Sequence, residues 1–431
     1  MIPAARISAA IEVLADVETR RRPAPDALKD WGLSHRFAGS KDRAAIASLV
    51  YDALRRKASA AWIMGEASPR AAVLGMLHLQ RGMDVAAVAA LCSGERFAPA
   101  PLTDTERERL ASATLDGAPP AVAGDFPEWI EPSLARALEG DLVPELQALA
   151  RRAPIDMRVN ALKASREEVL QAMPHLGAAA TPHAPNGLRV WPGEDGRGPA
   201  LQVEPEFLKG WFEIQDEGSQ LAALLTAVKP SEQVVDLCAG GGGKTLALAA
   251  MMANKGQLYA TDSDQRRLAP IHDRLARAGV RNVQVRTPRA RADAVTDLDG
   301  TSDCVLIDAP CTGCGTWRRN PDAKWRLRPG SLSVRLGEQA AVLDRAARLV
   351  RAGGRIVYVT CSVLPEENDD AVSAFLARAT GFEPVPSQAV LEPAGLPQLA
   401  DVIRPTQHGL QMTPRLTGTD GFYVAVLRKR A

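Results

Sequence analysis

Five short apolar runs between residues 216 and 431 constrain this chain more than any other feature. They lie at 234–237, 257–261, 283–285, 304–307 and 355–359. Each is near strand length, and most are separated by stretches with the three- and four-residue spacing of amphipathic helices. A strand followed by a crossover helix returns to its sheet in the parallel sense, and a parallel sheet is covered on both faces. The pattern predicts an α/β domain on a doubly wound, mostly parallel sheet. Residues 402–403 or 422–427 are expected to add a late strand.

Residues 1–150 read differently. Ile7, Ile11 and Leu14 recur at helical spacing, and Ile46, Leu49, Val50 and Leu54 mark one face of a long helix that starts after residues 39–42. Shorter helical stretches follow near 69–80, 84–92, 103–113 and 133–151, so a small helical bundle is expected. Residues 151–215 look mixed, with strands at 157–160 and 187–191, a helix at 165–173 and a Pro/Gly-rich loop at 192–199. The chain thus divides into 1–150, 151–215 and 216–431.

Composition limits the function classes. Hydrophobic residues make up 46% of the 431, enough for real cores, and 52 Lys+Arg against 51 Asp+Glu leave no basic coat for a polyanion. Any nucleic acid must be met by a local patch. Residues 1–100 hold 14 Lys+Arg against 10 Asp+Glu, while 101–150 hold 3 against 10, so the first hundred residues are the better RNA face. Arg20–Arg22 and Arg55–Lys57 alone read as solvated helix ends. No apolar run reaches the ~20 residues of a membrane helix, and with no basic stretch leading into an apolar core at residues 1–6, no secretory signal is expected. Cys92, Cys238, Cys304, Cys311, Cys314 and Cys361 are too sparse for a disulfide scaffold, so reduced thiols and a cytoplasmic location are expected.

The strand at 234–237 runs into Cys238, Ala239, Gly240, Gly241, Gly242, Gly243, Lys244 and Thr245, and then into a helix. Strand, glycine turn and helix N-terminus make a nucleotide cradle, because glycine lets backbone N–H groups approach a ligand. A Walker loop fails on spacing, since Cys238 stands where its first glycine belongs, and G-x-G-x-x-G fails at Thr245 and at Leu246. A site for S-adenosylmethionine remains, with Asp262 at the tip of the next strand to accept the ribose hydroxyls. A merely flexible turn is the bland alternative. Asp236 reads as an acid that organises the loop.

Two further strand tips carry thiols. One ends in Asp308, Ala309, Pro310, Cys311, Thr312, Gly313 and Cys314, the next in Thr360, Cys361 and Ser362. Neighbouring strands lie about 5 Å apart, so Cys311 and Cys361 can meet on the cofactor edge. Beside a methyl donor such thiols suit cytosine C5. A thiolate added at C6 makes C5 nucleophilic, a carboxyl group near N3 assists, and a base then removes the C5 proton. Cys361, Asp308 and Cys311 fit these roles. A redox dithiol or half a zinc site at Cys311 and Cys314 is the alternative, but no second ligand pair exists, so no metal is expected. Cys238 and Cys304 read as packing residues. Arg318, Arg319, Lys324, Arg326, Arg328 and Arg335, interleaved with Trp317 and Trp325, suit phosphates and an unpaired base. The alternative is a loop whose tryptophans turn inward.

These stretches resemble the Sun/Nop family of RNA cytosine-5 methyltransferases, in the bacterial branch with a NusB-like N-terminal domain. The resemblance rests on 212–220, 236–245, 308–315, Arg319–Trp325, Thr360–Ser362 with Glu367 and Asn368, and 418–423. It implies a class I Rossmann-like methyltransferase domain at 216–431, with a mostly parallel seven-stranded sheet whose last strand is reversed. It also implies an all-α NusB-like RNA-binding domain at 1–150 and a small RRM-like α+β subdomain at 151–215. Cys361 would be the nucleophile, Cys311 would serve product release and Asp308 would contact the base. Residues 238–244 with Asp262 and Asp308 would bind S-adenosylmethionine, and Arg318, Arg319, Lys324 and Trp325 would meet RNA. Small-subunit (16S) ribosomal RNA is the implied substrate, acted on by a monomer. Transfer RNA, or a catalytically silent RNA-binding assembly factor, are the rivals.

The chain departs from the family pattern in three places. Gly240 and Gly241 replace Ala-Pro, which should loosen the loop. Thr287 and Pro288 replace the Gly-Asp that places an acid near the adenine. Cys314 replaces a small or polar residue and is expected to be dispensable.

Overall fold

The computed structural model describes residues 1–193, 196–288 and 293–431, which form two compact units. The first holds Met1–Arg152, Pro192–Arg197 and Trp317–Leu327. The second holds the remainder.

The first unit is helical. Its long helices are Pro3–Arg20, Ala24–Ser34 and Ser40–Arg55, and shorter ones run from Lys57–Met64 to Leu142–Ala150. Ile7, Leu14, Ile46, Leu49, Val50 and Leu54 are buried together as their spacing requires. Starts are marked by side chains. Ser68 accepts from the Ala71 N–H ahead of helix Pro69–Leu79, and Thr103 with Glu106 forms a capping box.

Residues 317–327 correct the reading of the basic stretch as an RNA face. Arg318, Lys324 and Trp317 are buried, and Trp325 packs against the helical core while its Nε1–H donates to Leu54 O at 2.7 Å. Ala24 N–H donates to Asp322, and Arg55 to Arg318 O at 2.6 Å. Burial pushes the Lys324 ammonium down to about 7 and Arg55 down to about 10. Basic and aromatic residues are here spent on packing, and Arg55 is no solvated helix end. Arg319 is half-buried. Replacing Trp325 with alanine removes an aromatic body and a hydrogen bond. It should destabilise the helical unit by about 2–4 kcal/mol, read as an earlier denaturant midpoint.

The second unit holds two sheets. Strands β1 (Ile155–Val159), β2 (Ala179–Ala180), β3 (Gly187–Val190) and β4 (Phe212–Ile214) pair antiparallel in the order β2-β3-β1-β4. Helix Arg166–Ala172 accompanies them, and Met157, Val159, Val169, Leu188 and Phe212 fill their core.

The large sheet contains β5 (Gln233–Asp236), β6 (Gln257–Ala260), β7 (Val283–Val285), β8 (Ser302–Asp308), β9 (Val350–Thr360), β10 (Phe382–Pro384), β11 (Arg404–Pro405), β12 (Leu410–Met412) and β13 (Phe422–Lys429). The order is β11-β12-β13-β9-β8-β5-β6-β7, with β10 paired to β13. Strands β9, β8, β5, β6 and β7 are parallel, and β13 is antiparallel to β9, so the late strand is indeed reversed. Among the described residues the sheet has nine strands where seven were expected, and β10, β11 and β12 are short strands of two or three residues on the side of β13. Residues 402–403 form a turn rather than a strand, just before β11.

The buried faces of the parallel strands explain their continuous apolar runs. Val234, Leu258, Leu306, Val357 and Val359 enter one core layer, and Val235, Val305, Ile307, Ile356 and Tyr358 the other. Consecutive order β9-β8-β5-β6 brings four carboxyl ends to one edge, carrying Cys361, Asp308, Asp236 and Asp262. Among the described residues no helix is long and apolar enough to cross a membrane.

Candidate active site

The glycine loop joins β5 to helix Gly243–Met251. Gly242 has φ +84°, and a Cβ there would lie 2.5 Å from Ile271 Cγ1, so only glycine fits. The loop is held from every side. Gly240 N–H donates to Asp262 Oδ2 at 2.9 Å and Ala239 N–H to Thr261 O at 2.9 Å. Arg274 donates to Gly241 O at 2.6 Å, and Arg158 to Gly243 O at 3.2 Å.

These arginines are fixed in turn. Arg274 and Arg277 pair with buried Glu213 of β4, and Arg158 donates to Gln215 at 2.6 Å. Sequence reading missed them, although Glu213 and Gln215 lie in a stretch quoted for the resemblance. The anchors replace the rigidity expected to be lost with Gly240 and Gly241. Arg274→Ala should weaken S-adenosylmethionine about tenfold in titration calorimetry while leaving the fold in place.

Asp262 is buried at the tip of β6, and its oxygens accept from Gly240 N–H and Asp264 N–H. Each carboxylate oxygen has a second lone pair, so a ribose diol can still be received. A cleft of about 380 Å³ opens beside it, with apolar walls from Leu237, Pro310 and Val342. An acid at a diol's place, apolar walls for a base and a glycine cradle fit S-adenosylmethionine. Thr287 and Pro288 follow the end of β7, directly before residues 289–292, which lie outside the described residues.

Asp236 holds the loop's base. Thr245 Oγ1 donates to it at 2.7 Å, and its Oδ1 is buried without a hydrogen-bond partner. Burial raises this carboxyl to about 7, so the fold favours its protonated form. That stabilisation is present at low pH and is lost as pH rises through about 7. Asp236→Asn removes the titration. Its melting temperature should rise relative to the unmodified chain between pH 5 and pH 8, and a pH-independent difference would refute this.

The second half of the site holds the thiols. Cys311 and Cys361 place their sulfurs 3.3 Å apart, and both are half-buried. Hydrogen bonding to Cys361, then burial, pushes the Cys311 thiol well up. Cys311 therefore stays protonated at neutral pH, in hydrogen-bond contact with the Cys361 sulfur. Asp308, at the end of β8, accepts from Lys244 Nζ at 2.7 Å, and about a third of its side chain stays exposed. Lys244 is buried and lies 5.2 Å from the Phe422 ring centroid.

The family assignment follows from this arrangement and from three matches. The 16S rRNA methyltransferase RsmB/F family description matches residues 223–428, and a ferredoxin-like domain of RsmF/B-like methyltransferases matches 126–191. A ribosomal RNA small subunit methyltransferase B from Sodalis glossinidius is 34% identical over 342 residues, covering 78% of this chain and 70% of that protein. The chain belongs to the RsmB/F methyltransferase family. A probable small subunit methyltransferase B from Synechocystis is 33% identical over 307 residues, covering 70% of this chain and 67% of that one. The solved structure of PH0851 matches with a TM-score of 0.72 at 26% identity, covering 100% of this chain and 99% of that one. The cofactor of this RsmB/F member is S-adenosylmethionine.

Family membership leaves the remaining thiols to be placed. Cys314 is fully buried, its sulfur 3.1 Å from Ser362 Oγ and accepting from Val363 N–H. Burial pushes it up to about 12, and Cys304 up to about 11. Cys314 thus links the 308–315 stretch to Ser362 and Val363. Cys238 lines the cofactor cleft, and burial raises its thiol too. The backbone beneath is equally tight. Gly315 N–H donates to Cys361 O at 3.0 Å, and a Cβ on Gly315 would lie 2.1 Å from Gly421 O. That crossing accounts for glycine in two separate family stretches, 308–315 and 418–423.

Proposed function

We propose that this chain transfers the methyl group of S-adenosylmethionine to C5 of a cytosine in 16S ribosomal RNA. The observation that carries the reading is the pair of sulfurs 3.3 Å apart at the tips of the adjacent strands β8 and β9, the first of which ends in Asp308. When bound, the cofactor supplies an electrophilic methyl group.

Cys361, as thiolate, adds to C6 of a cytosine lifted out of its stack. Asp308 meets the N3/N4 edge of the ring. Lys244 occupies one carboxylate oxygen, and the other accepts from the exocyclic amine, which uracil lacks. C5 then takes the methyl group. Cys311 then gives its proton to water, its thiolate takes the proton on C5, and the C5–H electron pair forms C5=C6 as the C6–S bond breaks. Cys361 leaves as thiolate, and 5-methylcytosine is released. Arg319 remains an RNA contact in this reading.

Bisulfite sequencing of total RNA from cells with and without the gene tests the proposal. One ribosomal cytosine losing its protection is the expected result. A protected transfer-RNA cytosine would move the substrate, and no change anywhere would favour the silent assembly factor.

A further inference from the structure

The two peptide groups flanking Cys311 are each held by a buried side chain from a different element. Ahead of Cys311, Pro310 O accepts from Gln339 Nε2 at 2.9 Å, from helix Pro329–Leu349. After it, Thr312 N–H donates to Glu367 Oε1 at 2.7 Å, and Thr312 Oγ1–H to Glu367 Oε2 at 2.5 Å. Gln339 and Glu367 also bind each other, Nε2 to Oε1 at 3.2 Å. Both are fully buried. Glu367 is itself anchored to the nucleophile's strand, because Tyr358 OH on β9 donates to Glu367 O at 2.7 Å. Thus one carboxylate links the strand that ends beside Cys361 to the loop that carries Cys311.

We infer that Glu367, with Gln339, is the positioning pair that holds Cys311 against Cys361 for the release step. The assignment rests on the proposed role of Cys311. A buried carboxylate is costly unless its lone pairs are used, and here three donors use them. The cost is met at the loop whose sulfur must reach a C5 proton after Cys361 has already bonded to the ring. Such a step needs the supporting shell held to a fraction of an ångström. Glutamine at 367 keeps one oxygen for the Thr312 N–H, and its amide can donate to the Thr312 hydroxyl. Alanine keeps neither.

The test uses the full chain as unmodified protein, Glu367→Gln, Glu367→Ala and Gln339→Leu. Iodoacetamide labelling, resolved by cysteine with mass spectrometry, reads positioning without RNA. Glu367→Ala and Gln339→Leu should speed labelling of Cys311 at least about fivefold and that of Cys361 less than about twofold, since only one loop is loosened. Glu367→Gln should stay near the unmodified rates. With RNA and S-adenosylmethionine, Glu367→Ala should retain a covalent band on a denaturing gel, as Cys311→Ala should, while Glu367→Gln turns over. Equal acceleration at both cysteines, or none, would overturn the assignment. So would loss of turnover in Glu367→Ala with no retained band while Cys311→Ala shows one. An unmodified chain that methylates no RNA would instead sink the proposed reaction, and the labelling rates would still judge the clamp.

Discussion

Cys361→Ala should abolish methyl transfer, by at least about 10³-fold in turnover, while the protein stays folded and still binds cofactor. The size follows from the chemistry. Cytosine C5 gains nucleophilicity only after a sulfur adds at C6, and no neighbouring group replaces that sulfur. Cys311 lies 3.3 Å away, but its thiol is pushed well up, so it is a poor nucleophile at neutral pH. The side chain of Cys361 is half-buried and forms no disulfide, so its loss leaves only a small gap. Methyl incorporation into RNA, measured beside cofactor affinity and melting temperature, checks this. Retained activity would move the nucleophile elsewhere. A Cys361→Ala strain with normal ribosome assembly would show that assembly needs the body of the protein and not its chemistry.

The architecture was legible wherever the sequence pattern had one physical cause. Runs such as 304–307 and 355–359 are apolar without alternation because both faces of β8 and β9 are buried, and only a covered parallel sheet asks for that. The nearness of Cys311 and Cys361 followed from two adjacent strand tips. Strands β10, β11 and β12 were not legible, since two or three residues carry no period. The reading of Arg318, Lys324 and Trp325 as RNA contacts failed for a different reason. Lys324 and Trp325 satisfy an RNA groove and a protein core equally well as residue types, and only Leu54 O and the helical core decide between them. Arg274 was missed because its partners, Glu213 and Gly241, stand 61 and 33 residues away. Long-range ion pairs leave no local signal.

Cys311→Ala should stall the enzyme on its own RNA. Attack by Cys361 needs only the thiolate and the base, and both remain. Release needs a sulfur to take the C5 proton, and that sulfur is gone. The C6–S bond then survives denaturation, and incubation with RNA and S-adenosylmethionine should yield a slower band on a denaturing gel. Turnover should fall by about 10²–10⁴, the usual worth of a positioned general base. In the double variant Cys311→Ala with Cys361→Ala the band should be absent. A band that persists in the double variant would mean that another group bonds the RNA. No band in Cys311→Ala alone, with methylated product still released, would mean that water or another side chain removes the proton.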